Sequence, residues 1–331
     1  MNIKTTFLGL PVDNPLIVAS SGLTGSVESV KKFADHGAGA VVLKSLFEEQ
    51  IIADKKTLLK HDDMYFWYPE ALEYVGNFAK EQGILEYLKM IEKAKKAVKI
   101  PVVASINCVS PLEWPKFAAE IKNAGADGIE LNIFIPPTDL KQTGYKIEET
   151  YLDIVRAVRK ETALPIAVKV GYYFTNLYRE LFKLSNLEIN SIVMFNRYYR
   201  PDIDIEKLSV VTSNIYSSPV EITLALRWIA LLSSKVKCEL IGATGIHDYT
   251  GVVKNILAGA TAVQLCSTLY KNGAAYLEVL RKDLEKWMAS KGYDDLKAFR
   301  GLISKNEENS AAFERVQFMK KTTGKIKGEW L

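Results

Sequence analysis

Two lysines stand inside apolar runs: Lys44 closes Gly39–Lys44 (GAVVLK) and Lys169 sits in Pro165–Val170 (PIAVKV). An ammonium carried by a buried strand is costly without a counter-charge, so each should face an anion or an electron-rich acceptor. Other apolar runs also end on small or polar residues: Ala19-Ser20-Ser21-Gly22, Ser45 after Lys44, Asn107, Asn132 and Asn196. The last two runs lead into Gly242-Ala243-Thr244-Gly245 and Cys266-Ser267-Thr268. Such turns can offer backbone N–H groups and hydroxyls to a phosphate, and Ser217-Ser218 can add further donors. A single polar strand end means little, because a satisfied core lysine or asparagine is the commoner outcome.

The elements that must position these residues alternate between short β-branched runs and amphipathic segments. Strands are expected at Leu16–Ser20, Gly39–Lys44, Pro101–Ile106, Asp127–Ile133, Pro165–Val170, Asn190–Phe195, Val236–Ile241 and Ala262–Cys266. Helices are expected near 27–36, 84–98, 112–124, 149–161, 177–187, 223–232, 249–258 and 276–286. Strands that are apolar throughout are buried on both faces, as parallel strands under helices are. Eight such units favour an α/β fold of the (β/α)₈ TIM-barrel type over an open doubly wound sheet. The polar strand ends then gather at the carboxyl face, where barrels build their active sites. Two long connections, 45–83 and 134–148, rise from that face, and long loops in compact domains are usually functional. The first carries Tyr65, Phe66, Trp67, Tyr68 and Tyr74, which either cover a ligand or pack an excursion against the barrel. One domain is expected over 1–331, with the barrel at about 7–300 and a helical tail at 301–331.

Composition narrows the function. A net charge of +4 with both signs interspersed gives no case for nucleic acid. Three scattered cysteines form neither a disulfide framework nor a zinc spacing, so no metal site is expected and a reducing, cytoplasmic setting fits. No apolar run is long enough for a membrane span, and the first residues do not read as a signal peptide.

The ordered set Asn14-Pro15, Ala19-Ser20, Lys44-Ser45, Glu130-Leu131-Asn132, Val168-Lys169, Gly242–Ile246, Val263–Ser267 and Gly292-Tyr293 resembles the dihydroorotate dehydrogenase family over about Phe7–Gly301. The resemblance implies FMN as cofactor, hydride transfer to flavin N5, and a place in pyrimidine biosynthesis. It implies that Ala19 and Ser20 back onto the flavin ring, with Lys44 and Ser45 at its edge. Asn107 and Asn132 would bond flavin or substrate, and Lys169 would lie at the edge where reduced flavin gathers negative charge. Ser218, Thr244, Gly245, Cys266 and Ser267 would hold the phosphate. The soluble branch of the family further implies a homodimer and a separate electron-transfer partner.

The substrate half departs from the family. The proton-accepting cysteine or serine is replaced by Ile135, which has no lone pair and cannot act as a general base. Pro137 replaces a substrate-binding asparagine, and Asn196 is followed by Arg197-Tyr198-Tyr199-Arg200. Either another residue such as Thr138, Tyr145 or Tyr198 supplies the base for dihydroorotate, or the barrel acts on another small anionic or carbonyl substrate; Lys44, Asn132 and Asn196 are the candidate substrate contacts. A flavin-binding barrel without turnover and a flavin-free phosphate-binding lyase or isomerase are the other classes. Arg197 and Arg200 would either bind an anion with Lys44 or pair with Asp202, Asp204 or Glu206. His61 and His247 show no partner in the sequence.

Overall fold

The computed structural model describes residues 1–47, 82–108, 114–198 and 200–305. Eight parallel strands close into a ring: Leu16–Val18, Ala40–Val42, Val102–Cys108, Gly128–Ile133, Ile166–Val170, Ser191–Met194, Glu239–Ala243 and Ala262–Leu265, numbered one to eight below. Each strand pairs in parallel with the next, and strand eight returns to strand one through Leu265↔Val18. The expected (β/α)₈ barrel is therefore the fold.

Strand periodicity divides the core in two. Outward residues such as Leu16, Val18, Val41, Ile129, Leu131 and Val168 pack under the helices. Inward residues Ile17, Ala40, Val42, Val103, Ala167, Val193, Ile241 and Ala262 form a second cluster inside the ring. They are small because eight strands leave room only for interlocking side chains. A hairpin of Thr5–Phe7 and Leu10–Val12 stoppers the amino-terminal end, adding Phe7, Leu8 and Val12 to that inner cluster.

Helices lie at Val27–Asp35, Gln82–Ala97, Trp114–Asn123, Gly144–Glu161, Leu177–Ser185, Ile222–Leu232, Tyr249–Ala258 and Tyr276–Lys291. The helix after strand four starts at Gly144, capped by Thr143 Oγ1 on the Lys146 N–H at 3.2 Å, so that connection is shorter than the sequence suggests. Strand seven lies further along the chain than expected, at Glu239–Ala243. The loop after strand six contains an antiparallel hairpin, Arg200–Asp204 with Ser209–Ser213. A six-residue helix, Ser267–Asn272, follows strand eight. Most of the aromatic insertion, His61 and the tail beyond Lys305 lie outside the described residues.

Candidate active site at the carboxyl face

Above the inner apolar layer the strands turn polar on the same inward register. Lys169 lies two residues past Ala167, and Gln264 two past Ala262, so both continue the inward faces of their strands. Glu130 on strand four is fully buried and meets them. The Lys169 Nζ donates to Gln264 Oε1 at 3.2 Å and lies 3.7 Å from Glu130 Oε1, while Gln264 Nε2 donates to Glu130 Oε2. The 3.7 Å contact is an ion pair beyond hydrogen-bond range, which leaves Glu130 Oε1 without a hydrogen bond among the described residues. The countercharge that the sequence demands for Lys169 is thus carboxylate beneath it, and the lysine remains part of the chamber wall above.

That chamber, of about 380 Å³, opens at the carboxyl ends of the strands. Its walls include Ala19, Ser20, Lys44, Ser45, Asn132, Lys169, Asn196, Thr244, Gly245, Cys266 and Ser267, residues that the sequence singled out. Among the described residues no aspartate or glutamate lines it, while Lys44, Lys169 and Arg197 do. Such a wall suits an anionic ligand. A hydroxyl chain, Ser20 Oγ to Ser45 Oγ at 3.0 Å and on to Ser105 Oγ at 2.9 Å, fixes the wall beside Lys44. Asn196 Nδ2 donates to Asn132 Oδ1 at 2.9 Å, joining strands four and six. Asn107 is buried but does not line the chamber, and its Nδ2 has no hydrogen-bond partner among the described residues.

Strands seven and eight end in a cluster of donors. Thr244 and Gly245 both take positive φ, +71° and +76°. A Cβ on Gly245 would fall 2.3 Å from the Ile222 N, so the turn can lie against that helix start only as glycine. Ser217 is the hub between the turns: its N–H donates to Ser267 Oγ at 3.0 Å, and its Oγ accepts the Gly245 N–H at 3.4 Å. The same Oγ lies 3.1 Å from His247 Nε2, giving that histidine a partner the sequence did not show. Cys266 is the N-cap of the short helix and makes no side-chain cap bond. The backbone N–H groups of Ser267 and Thr268 likewise have no acceptor among the described residues. Free N–H groups at a helix start are an anion-binding arrangement. Ser218, which the family resemblance singled out, is exposed and off the chamber, its N–H donating to Glu221 Oε1 at 2.8 Å; the neighbouring Ser217 lines the chamber.

The loops after strands four, five and six bring aromatic rings together. Phe134 packs on Tyr198 with centroids 4.2 Å apart, and Tyr198 stacks on Tyr173 at 5.2 Å. A Cβ on Gly171 would fall 1.3 Å from the Tyr198 hydroxyl, so the ring is seated in the space that glycine leaves. Tyr198, with Tyr172, Phe195 and Asn196, walls a smaller side cavity of about 110 Å³. Arg197 Nε meets Glu221 Oε2 at 3.0 Å and Arg200 reaches the same oxygen at 3.4 Å. Both arginines therefore pair with Glu221, and not with Asp202, Asp204 or Glu206. Burial works against the Glu221 charge, but the Ser218 N–H and both guanidinium groups outweigh it and hold the carboxyl below its ordinary range. Arg197 also donates to the Ile215 carbonyl at 3.0 Å.

None of the three candidate bases stands ready. Thr138 and Tyr145 are exposed and line neither cavity, and Tyr198 is buried among rings. Ile135 is half-buried, its N–H donating to the Tyr151 hydroxyl at 3.4 Å. Burial pushes the ionisation of Tyr151 well above its ordinary range, so that phenol is no proton acceptor at neutral pH.

A closed parallel barrel, with lysines in the wall of a chamber over its carboxyl ends and open helix-start donors after strand eight, is a (β/α)₈ architecture suited to an anionic ligand. The model of the family described as dihydroorotate dehydrogenase matches residues 2–288, and the chain belongs to that family. It is thereby an oxidoreductase acting on a CH–CH group, in a family of flavoproteins. The dihydroorotate dehydrogenase B (NAD(+)) catalytic subunit of Thermoplasma volcanium is 27% identical over 311 residues, covering 92% of this chain and 99% of that protein. The protein of the same description from Pyrococcus furiosus is 27% identical over 314 residues, covering 92% and 100%. That from Methanosarcina mazei is 27% identical over 307 residues, covering 90% and 94%. No helix among the described residues is long and apolar enough to cross a membrane.

Proposed function

We propose that this chain is an FMN-dependent oxidoreductase that binds its flavin in the 380 Å³ chamber, phosphate toward the turns after strands seven and eight. The observation that carries this reading is the pairing of open N–H donors at Ser267 and Thr268, beside the Gly245 N–H held on Ser217 Oγ, with a lysine seated over buried Glu130 in the same chamber. The chamber volume falls in the range of about 300–1,000 Å³ usual for cofactor sites. The residues fit the group. Thr244, Gly245, Cys266 and Ser267, with Ser217, would hold the phosphate, and Ala19 and Ser20 would back the ring. Bound flavin supplies a two-electron hydride acceptor at its N5. Lys169, fixed by Gln264 and Glu130, holds positive charge where the reduced ring becomes anionic. Lys44 and the Asn132–Asn196 pair would orient a small anionic substrate above it.

Oxidation of dihydroorotate to orotate is the reaction named in the family and in its relatives, and is the first substrate to test. Ile135 supports a second reading, in which the chamber takes a different small anionic or carbonyl compound, because the side chain at the family's base position cannot accept a proton. Working beside an electron-transfer subunit, and as a homodimer in the cytoplasm, is proposed on the strength of relatives described as catalytic subunits. Anaerobic mixing of the flavin-loaded protein with dihydroorotate tests both readings. Bleaching of the flavin in the wild type supports dihydroorotate. Bleaching only in Ile135→Cys assigns the natural substrate elsewhere. A protein that takes up no FMN refutes the flavin reading.

A further inference from the structure

Among the described residues, His247 is the one histidine that reaches the chamber's donor cluster, through Ser217 Oγ at 3.1 Å. Ser217 is buried and lines the chamber, and its hydroxyl already accepts the Gly245 N–H at 3.4 Å. With a neutral imidazole carrying its proton on Nδ1, the tautomer this clasp requires, the Ser217 O–H proton points to Nε2. With a protonated imidazole, Nε2–H donates to Ser217 Oγ, and the serine proton is released toward the chamber. We propose that Ser217 and His247 form a proton-coupled clasp on the phosphate, in which His247 takes a proton from solvent as a phosphate-bearing ligand binds and Ser217 turns its hydroxyl onto the anion. The inference rests on the reading that the phosphate lies at this end of the chamber.

The surroundings set the direction of the coupling. Lys271, from the helix Ser267–Asn272, faces the imidazole and disfavours its charge. Asp248, beside it, and Glu221, before the helix Ile222–Leu232, favour it. Burial and Lys271 together hold the imidazole below its ordinary range, so it is neutral at pH 7.5. Lys271 is itself tied to the hub, its Nζ 3.5 Å from the Ser217 carbonyl oxygen and 5.8 Å from the centre of the Tyr216 ring. A dianion placed against Ser217 adds negative charge close to the ring and reverses the balance. Thr268 Oγ1, donating to the His247 carbonyl at 2.9 Å, keeps the histidine against the start of the short helix.

Calorimetric titration at pH 7.5 in two buffers of different ionisation enthalpy measures the protons taken up per ligand. A phosphate monoester is almost wholly dianionic there, with a second pKa of about 6, so its own titration contributes little. Uptake of roughly half a proton per FMN, with none for riboflavin, is expected of the wild type. His247→Gln should bind FMN about tenfold more weakly, with unchanged riboflavin affinity and no proton uptake. The wild-type comparison of FMN with riboflavin decides the matter alone should the variant not fold. Equal uptake for the two ligands, or uptake that persists in His247→Gln, overturns the clasp while leaving the flavin reading intact. Failure to bind FMN at all removes both.

Discussion

Replacing Lys169 by methionine tests the buried network under the chamber. Lys169 Nζ lies 3.7 Å from Glu130 Oε1, with side-chain exposures of 9% and 0%. Methionine preserves most of the apolar stem while removing the charge. Glu130 then keeps only the Gln264 amide as a hydrogen-bond donor, and a carboxylate is left in the barrel interior without a cation. Removing one partner of a buried pair typically costs about 3–5 kcal/mol, and the surviving Gln264 bond places this case near 3. That is a large part of the roughly 5–15 kcal/mol that holds a domain of ordinary stability together. Adding Glu130→Gln removes the stranded charge and should recover about 2 kcal/mol, a coupling outside the range expected of independent sites. Urea unfolding of the wild type, both single variants and the double variant, followed by circular dichroism, gives the cycle. A Lys169→Met protein as stable as wild type, or a double variant showing simple additivity, refutes the assignment of Glu130 as the counter-charge.

Four further outcomes follow from the same geometry. Gly245→Ala should weaken FMN binding by about a hundredfold in a fluorescence titration, since the turn must give up its positive φ or move off Ile222. Gly171→Ala should lower the melting temperature by several degrees by unseating Tyr198, whereas Tyr198→Phe in the same thermal melt should not. The Glu221 carboxyl is depressed in the fold, so its contribution is present above the unfolded carboxylate range and lost as pH falls through the folded value. The stability gap between wild type and Glu221→Gln should therefore be widest near neutrality and close only as pH falls below the ordinary carboxylate range, as read by chemical denaturation. Burial pushes the Cys238 thiol up to about 12, so peptide mapping should find it unalkylated in the native protein at pH 8 and modified after unfolding.

The barrel was legible in the sequence because parallel strands under helices must be apolar on both faces, which makes runs such as PIAVKV and AVQLC stand out. The same contrast exposed Lys169. Its partners were harder to read: Glu130 lies in GIELNI and Gln264 in AVQL, 134 residues apart, and they meet only when the ring closes. Strand parity was the available signal, since Ala167 and Lys169, like Ala262 and Gln264, share an inward face. The hairpin Arg200–Ser213 escaped because its turn carries no glycine or asparagine; Leu208 takes the left-handed position, with φ +48°. The sequence offered Ser217 and Ser218 alike as donors, and the family resemblance pointed to Ser218. The Glu221 carboxylate, three residues on, separates them by occupying the Ser218 N–H. His247 had no visible partner because Ser217 reaches it from a loop thirty positions earlier.

The most direct measurement is a crystal structure of the protein grown with FMN. The account predicts the phosphate within hydrogen-bond reach of the Gly245, Ser267 and Thr268 N–H groups, with the Lys169 ammonium at the pyrimidine edge of the ring. A flavin bound elsewhere, or a phosphate lying away from those turns, would contradict it.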